Sequence, residues 1–168
     1  GLSTSKIHAI NRDMDKAGDF DILVCMSDDM VFTMHGFDGM IRNDMQTHFP
    51  DTDGVLHYSD SSQGANCMTM SIMGRVYYDR DGFIYDPRFE SLWSDVVAQE
   101  VAMIRGRYAY MGDERVMFKH LHPSFGLANY DEQYRKTEAT DVRRRDYNTY
   151  IELKKAYDPN NIFKIRGI

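Results

Sequence analysis

The chain has 168 residues, 42% of them hydrophobic and 27% charged, with a net charge of −6. That length supports a single domain with a real core, and the composition is that of an ordinary globular protein. The acidic balance argues against nucleic acid as the main partner, because neutralising phosphates takes a basic face, and no apolar run is long enough for a membrane span.

In chain order, "STSKIHAINRDMDKAG" opens with capping residues and sets Ile7, Ile10, Met14 and Ala17 at helical spacing, with Gly18 as the stop. "FDILVCM" reads as a short buried strand bounded by Asp and Gly before it and by "SDD" after it. "GFDGMIRNDMQTHF" places Phe37, Met40, Ile41, Met45 and Phe49 on one helical stripe that ends at Pro50. "GVLHYSD" and "CMTMSIMG" predict two further strands, and Asp79 to Gly82 a turn. In "SLWSDVVAQEVAMIRGR", Ser94 is the expected cap of a helix whose inner face is Val97, Val101 and Ile104. "YAYM" and "RVMFKHLH" predict strands around the turn "GDE". The polar, aromatic stretch "PSFGLANYDEQYRKTEATD" has no firm period and reads as a loop, and a last helix runs from Asp141 to Tyr157. Alternating strands and helices predict an α/β class with a mostly parallel sheet and flanking helices. Arg143 to Arg145 read as a solvated helix face. Cys25 and Cys67 read as buried free thiols of a reducing, cytoplasmic setting.

The adjacent Asp28 and Asp29, at the tip of an apolar strand, need an explanation. Like charges side by side require solvent, a helix N-terminus or a cation. As plain structure, Ser27, Asp28 and Asp29 form a turn or cap. As chemistry, ligands in α/β folds sit beyond the carboxyl ends of parallel strands, and two hard oxygen donors there suit Mg²⁺ or Mn²⁺ bound together with substrate phosphates.

"SKIHAIN…AGDFDILVCMSDDM" resembles the first half of the sugar-nucleotide signature of GT-A-type glycosyltransferases, nearest to the family-2-like group. In that family a Lys and an Asn on a helix precede, by one strand, a DxD-like motif that holds the metal and the nucleotide. Lys6 and Asn11 match the helix, and Asp28 and Asp29 match the acidic motif. Met26 stands where a strict D-x-D would place its first aspartate, which leaves open which carboxylate meets the metal and which the ribose. "MTMSIMGRVYYDRDGFIYDP" is similar to the stretch that links the donor and acceptor halves. "LWSDVVAQEVA" falls where the family carries its acidic general base, which puts Asp95 in that role; the plain alternative is an acid stabilising the first turn of a helix. From "KHLHP" the resemblance implies a histidine completing the metal shell, and His122 is favoured over His120. It also implies a mobile loop closing over the diphosphate, with Tyr134, Arg135 and Lys136 available for that task. The resemblance spans Ser5 to Thr137.

The implied activity is metal-dependent transfer of a sugar, inverting by resemblance alone, from a nucleotide-diphosphate donor to a saccharide or other hydroxyl acceptor. The alternatives are a non-catalytic sugar-nucleotide-binding fragment and a nucleotidyltransferase of related fold. The second would normally carry a Gly-rich, Arg/Lys-bearing N-terminal loop, which this sequence lacks. A competing resemblance lies in the tail, where "LKKAYDPNNIF" looks like the C-terminal signature of berberine-bridge-type FAD-linked oxidases; a Pro-Asn-Asn turn ending a helix explains it more simply. Residues 2–168 read as a single GT-A-like domain, and Gly1, in place of an initiator methionine, reads as an expression scar. The family's first strand–helix–strand unit precedes the Lys/Asn helix, so its apparent absence predicts reduced competence of this chain alone. It also predicts an open edge on the strand Asp21 to Met26, covered by a second copy or by Tyr157 to Ile168.

Overall fold

The computed structural model describes residues 3–123, 126–127, 129 and 131–167; Gly1, Leu2, Ile168 and four positions of the stretch read as loop (124, 125, 128 and 130) lie outside them. Helix α1 (Lys6–Asn11) is capped by the Ser5 hydroxyl, which accepts from the His8 amide. A 3₁₀ turn (Met14–Lys16) carries the chain to Gly18, whose φ of 68° makes the stop. Strand β1 (Ile22–Val24) follows, then β2 (Met30–Phe32), α2 (Phe37–His48) and β3 (Val55–His57). After a 3₁₀ turn (Gly64–Asn66) come β4 (Ile72–Gly74), α3 (Arg75–Asp81), α4 (Ser94–Ile104) and β5 (Tyr108–Tyr110). Strand β6 (Phe118–His120), α5 (Glu132–Thr137) and α6 (Thr140–Tyr157) complete the described elements.

The main sheet has the order β1-β4-β3-β5. Strand β4 is antiparallel to both β1 and β3, while β3 and β5 run parallel. The expectation of a mostly parallel sheet is therefore corrected to a mixed sheet with two antiparallel ladders out of three. The reason lies between β3 and β4: residues 58–71 hold only one 3₁₀ turn, so no crossover helix returns the chain to the starting end of the sheet. Strand β4 instead runs back between its neighbours. With β4 inverted, β1, β3 and β5 all point the same way, and their carboxyl ends share one end of the sheet. A second, two-stranded sheet pairs β2 with β6, with Met30 opposite His120.

Alternation along the strands divides the core. Val55 and Met73 face a cluster built with α1, α4 and α6, while Leu56 and Ile72 face α2 through Ile41, Met45 and Phe49. The α2 stripe is thus as expected from its spacing. The backbone comes closest at Gly74, where an added Cβ would lie 2.0 Å from the Thr52 carbonyl oxygen; only glycine fits there.

Other expectations are refined. The predicted turn at 79–82 is the last turn of α3, ended by Gly82 at φ 71°. Trp93, rather than Ser94, is the N-cap of α4, and Ile104 faces outward at 39% exposure. "YAYM" and "RVMFKHLH" form no hairpin; β5 joins the main sheet and β6 joins β2. Part of the predicted loop is helix α5, capped by Asp131, which accepts from the Tyr134 amide.

Strand β1 pairs with β4 on one side and, among the described residues, with no strand on the other. The ladder bonds Cys25 N–H to Ser71 O (2.9 Å) and Arg75 N–H to Asp21 O (2.8 Å) turn the odd-numbered residues inward. The backbone groups of Ile22 and Val24 consequently face the open edge. The C-terminal segment, as far as it is described, packs elsewhere. Phe163 lies against Lys154, and the Arg166 amide donates to the Tyr150 hydroxyl, which seats the segment on α6. Among the described residues no helix is long and apolar enough to cross a membrane.

Candidate functional site

The common carboxyl end of β1, β3 and β5 is where the polar side chains gather. Asp29 closes the turn after β1 and enters β2: its backbone carbonyl accepts from the Leu121 amide (2.8 Å), one step beyond the Met30–His120 pair. The small sheet thereby sets Asp29 beside His120, whose Nε2 lies 3.2 Å from Asp29 Oδ2. Ser27 and Tyr134 donate their hydroxyls to the same carboxylate, Tyr134 reaching from the first turn of α5. Burial pushes the Asp29 pKa up, but the hydrogen bonds from Ser27 and Tyr134 and the neighbouring His120 outweigh it, and the net shift is downward. Asp28 is exposed beside it.

Asp60 faces His120 from the other side, with Oδ2 3.7 Å from Nδ1. It is buried and held by the amides of Ser62 and Gln63 and by the Thr69 hydroxyl. Burial again opposes ionisation and is outweighed by these donors and His120, so the Asp60 carboxyl stays well below its ordinary range. The sequence reading missed Asp60. The signal was present: "YSD" follows β3 as "MSDD" follows β1, each placing Ser-Asp after an apolar strand.

The rings of His120 and His122 lie 5.1 Å apart. His122 Nε2 is 3.4 Å from Glu138 Oε1. Burial and the nearby His120 lower the His122 pKa, favouring the neutral ring, the form a metal ligand needs.

A cavity of about 300 Å³ opens at this end of the sheet. Lys6, Ser27, Asp95, His120, His122 and Tyr134 all line it, drawn from five separate stretches of sequence. Asp95 sits in the first turn of α4, as expected, and shares the cleft with the tip of β1. Its Oδ2 accepts from the Cys67 thiol at 3.3 Å. Burial raises the Cys67 pKa well above its ordinary value, so the sulfur remains a protonated, weak donor. Cys25 also lines the cleft, and burial pushes its thiol up to about 11. Both cysteines are free and half-buried.

Three expected site residues stand apart. The Asn11 side chain is engaged structurally: it donates to the Tyr85 carbonyl (2.6 Å) and accepts from the Ile84 amide (2.9 Å), tying α1 to the segment before α4. Arg135 and Lys136 are exposed on α5, and Lys136 pairs with Glu132 at 2.8 Å. Their neighbours Tyr134, Thr137 and Glu138 line the cleft instead. Among the described residues no group of three or more His, Cys, Asp or Glu side chains is arranged to hold a metal ion.

The segment leading to Asp95 is fixed from a distance. Buried Asp146 of α6 accepts from the backbone amides of Glu90 (2.8 Å), Ser91 (2.8 Å) and Leu92 (2.7 Å). Comparison with known protein families, curated proteins and solved structures finds no match to this chain.

Proposed function

We propose that the chain is a GT-A-like glycosyltransferase domain that transfers a sugar from a nucleotide-diphosphate donor to an acceptor hydroxyl. The observation that supports this reading is the convergence of Lys6, Ser27, Asp95 and the His120–His122 pair on one cleft at the carboxyl ends of three co-directional strands, with Asp29 hydrogen-bonded to its lining residues Ser27, His120 and Tyr134. In this reading Asp95 takes the proton from the acceptor hydroxyl as its oxygen attacks the anomeric carbon. The anomeric carbon–oxygen bond to the diphosphate breaks, and Lys6, at the rim, offsets charge on the leaving group. Inversion is part of the proposal by family resemblance.

The donors at the β1 tip fit a hard divalent cation in chemistry: Asp29 is held ionised and His122 is held neutral. Asp28, Asp29 and His122 would hold Mn²⁺ or Mg²⁺, which would supply positive charge to offset that of a departing diphosphate. The Tyr134 hydroxyl competes for the same Asp29 oxygen. The open edge of β1 supports a related proposal, that a further strand, from a second copy or another segment, completes the sheet beside the donor site.

Asp95→Asn tests the base assignment. Release of UDP or GDP from a nucleotide sugar in the presence of acceptor should fall by roughly 10²–10⁴-fold, while nucleotide binding is retained. Turnover by Asp95→Asn equal to the wild-type rate would remove Asp95 from the mechanism.

A further inference from the structure

Trp93 is the one tryptophan in the chain. Its φ of 57° and ψ of −5° place it in the left-handed region, a conformation in which a bulky non-glycine residue is an outlier. Such backbone persists only where its surroundings over-determine it, and it concentrates at functional sites. Here the over-determination is visible on both sides. Upstream, the three amides of residues 90–92 are clamped by Asp146. Downstream, the Trp93 carbonyl accepts from the Val97 amide (3.0 Å) and Ser94 reaches back to the Ser91 carbonyl. The side chain is backed by Tyr147, ring centroids 5.4 Å apart, and lines the same cleft as Asp95, two residues on. Ile7, Ile10 and Leu92 line the cleft with it, so an apolar wall stands next to the carboxylate.

Resting on the glycosyl-transfer reading, we propose that Trp93 is a stacking platform for the ring of a saccharide acceptor, whose hydroxyl is thereby delivered to Asp95. A pyranose has an apolar C–H face and a polar rim. An indole beside an aliphatic wall takes the face, and a carboxylate at its border takes a rim hydroxyl. A simple alcohol or an extended lipid chain needs no such pairing of aromatic wall and flanking acceptor. The strained backbone presents the indole without a conformational search when the acceptor arrives.

Because Trp93 is the sole tryptophan, its emission reports on the site directly. The full chain would be titrated with methyl β-glucoside, lactose and N-acetylglucosamine, and with glycerol as a ring-free control, in the presence and absence of UDP and Mn²⁺. The expected result is a saturable emission change with at least one ring sugar and none with glycerol. By calorimetry, Trp93→Ala should weaken binding of that sugar at least about tenfold, with Trp93→Phe, which keeps a stacking ring, between it and wild type. Mn²⁺-dependent UDP binding should be unaltered in both variants. If UDP binds but no saccharide changes the emission, or if Trp93→Ala binds the sugar as wild type does, the platform is overturned while the transferase reading stands. If saccharides act on Trp93 and no nucleotide binds, the platform stands and the transferase reading falls.

Discussion

Replacing Asp146 by Ala is expected to lower the stability of the fold by about 3–4 kcal/mol, because three backbone amides lose a charged acceptor at once. For a chain of this size that corresponds to a fall in melting temperature of roughly 10 °C. Asp146 is 1% exposed, so water cannot simply take its place. Asp146→Asn should fall between the two proteins, at about 2 kcal/mol, since the amide keeps one acceptor oxygen and turns an N–H toward a backbone donor. The consequence extends beyond stability. Residues 90–92 lead directly into Trp93 and Asp95, so loosening them should also disorder the wall of the cleft. Amide hydrogen exchange at 90–95 faster than at β3 and β4 would register that local effect. Unchanged stability in Asp146→Ala would show that the clamp contributes nothing.

The second large effect is expected at Lys154. Its ammonium lies 2.8 Å from Glu100 Oε2 and 3.0 Å from Asp158 Oδ2, and all three side chains are at most 3% exposed. The aromatic rings of Tyr150, Tyr157 and Phe163 surround it at 5.4–5.9 Å. Tyr157 also donates to Glu100, and the Ile162 and Phe163 amides donate to Asp158. Lys154→Met keeps much of the volume and removes the charge, leaving two buried carboxylates with Arg166, 4.0 Å from Glu100, as their cationic neighbour among the described residues. A loss of about 3–5 kcal/mol is expected near neutral pH.

The pH dependence carries a definite sign. In the wild type, burial opposes ionisation of Asp158, but the Phe163 and Ile162 amides and Lys154 outweigh it, and its pKa is depressed. Its contribution is present above the ordinary aspartate value of about 3.9 and is lost as pH falls through the depressed one. Burial likewise opposes the Lys154 charge and is outweighed by Glu100 and Asp158; its raised pKa keeps its contribution below about 10.4, to be lost as pH rises past the shifted value. In Lys154→Met at least one carboxyl should be raised instead, so the variant gains stability as pH falls from 7 toward 5. Denaturant unfolding of both proteins at the two pH values should show the gap narrowing. A gap that widens on acidification would mean that the carboxylates are not coupled to Lys154 in this way.

Short-range patterns in the sequence located most elements because they obey local physics. The α2 stripe and the apolar runs of β1, β3 and β4 are each bounded by turn residues. The direction of β4 was not legible: it depends on where residues 58–71 return the chain, a tertiary matter. Strand β2 was hidden because "MVF" follows directly on an acidic turn, and α5 because its polar residues show no buried stripe. At the site, Asp28, Asp29, Asp95, Lys6 and His122 were singled out from motif and order; Lys6, Asp95 and His122 line the cleft, and Asp29 is hydrogen-bonded to its lining residues Ser27 and Tyr134. Asn11 was read as a ligand contact and is instead spent on the backbone of residues 84–85. Asp146 could not be read at all. In sequence it is one acid beside a basic run, and its partners lie 54–56 positions away.

Titration calorimetry is the decisive test of a nucleotide-diphosphate site on the tip of β1. UDP-glucose, UDP-N-acetylglucosamine and GDP-mannose would be titrated into the full chain with and without Mn²⁺, and into the Asp28→Ala/Asp29→Ala double variant, checked by circular dichroism for an intact fold. Saturable, Mn²⁺-dependent binding of at least one of these donors to the wild type is expected, as is its loss in the folded double variant. Absence of binding by the wild type, or an Mn²⁺-dependent affinity unchanged in the double variant, would contradict it.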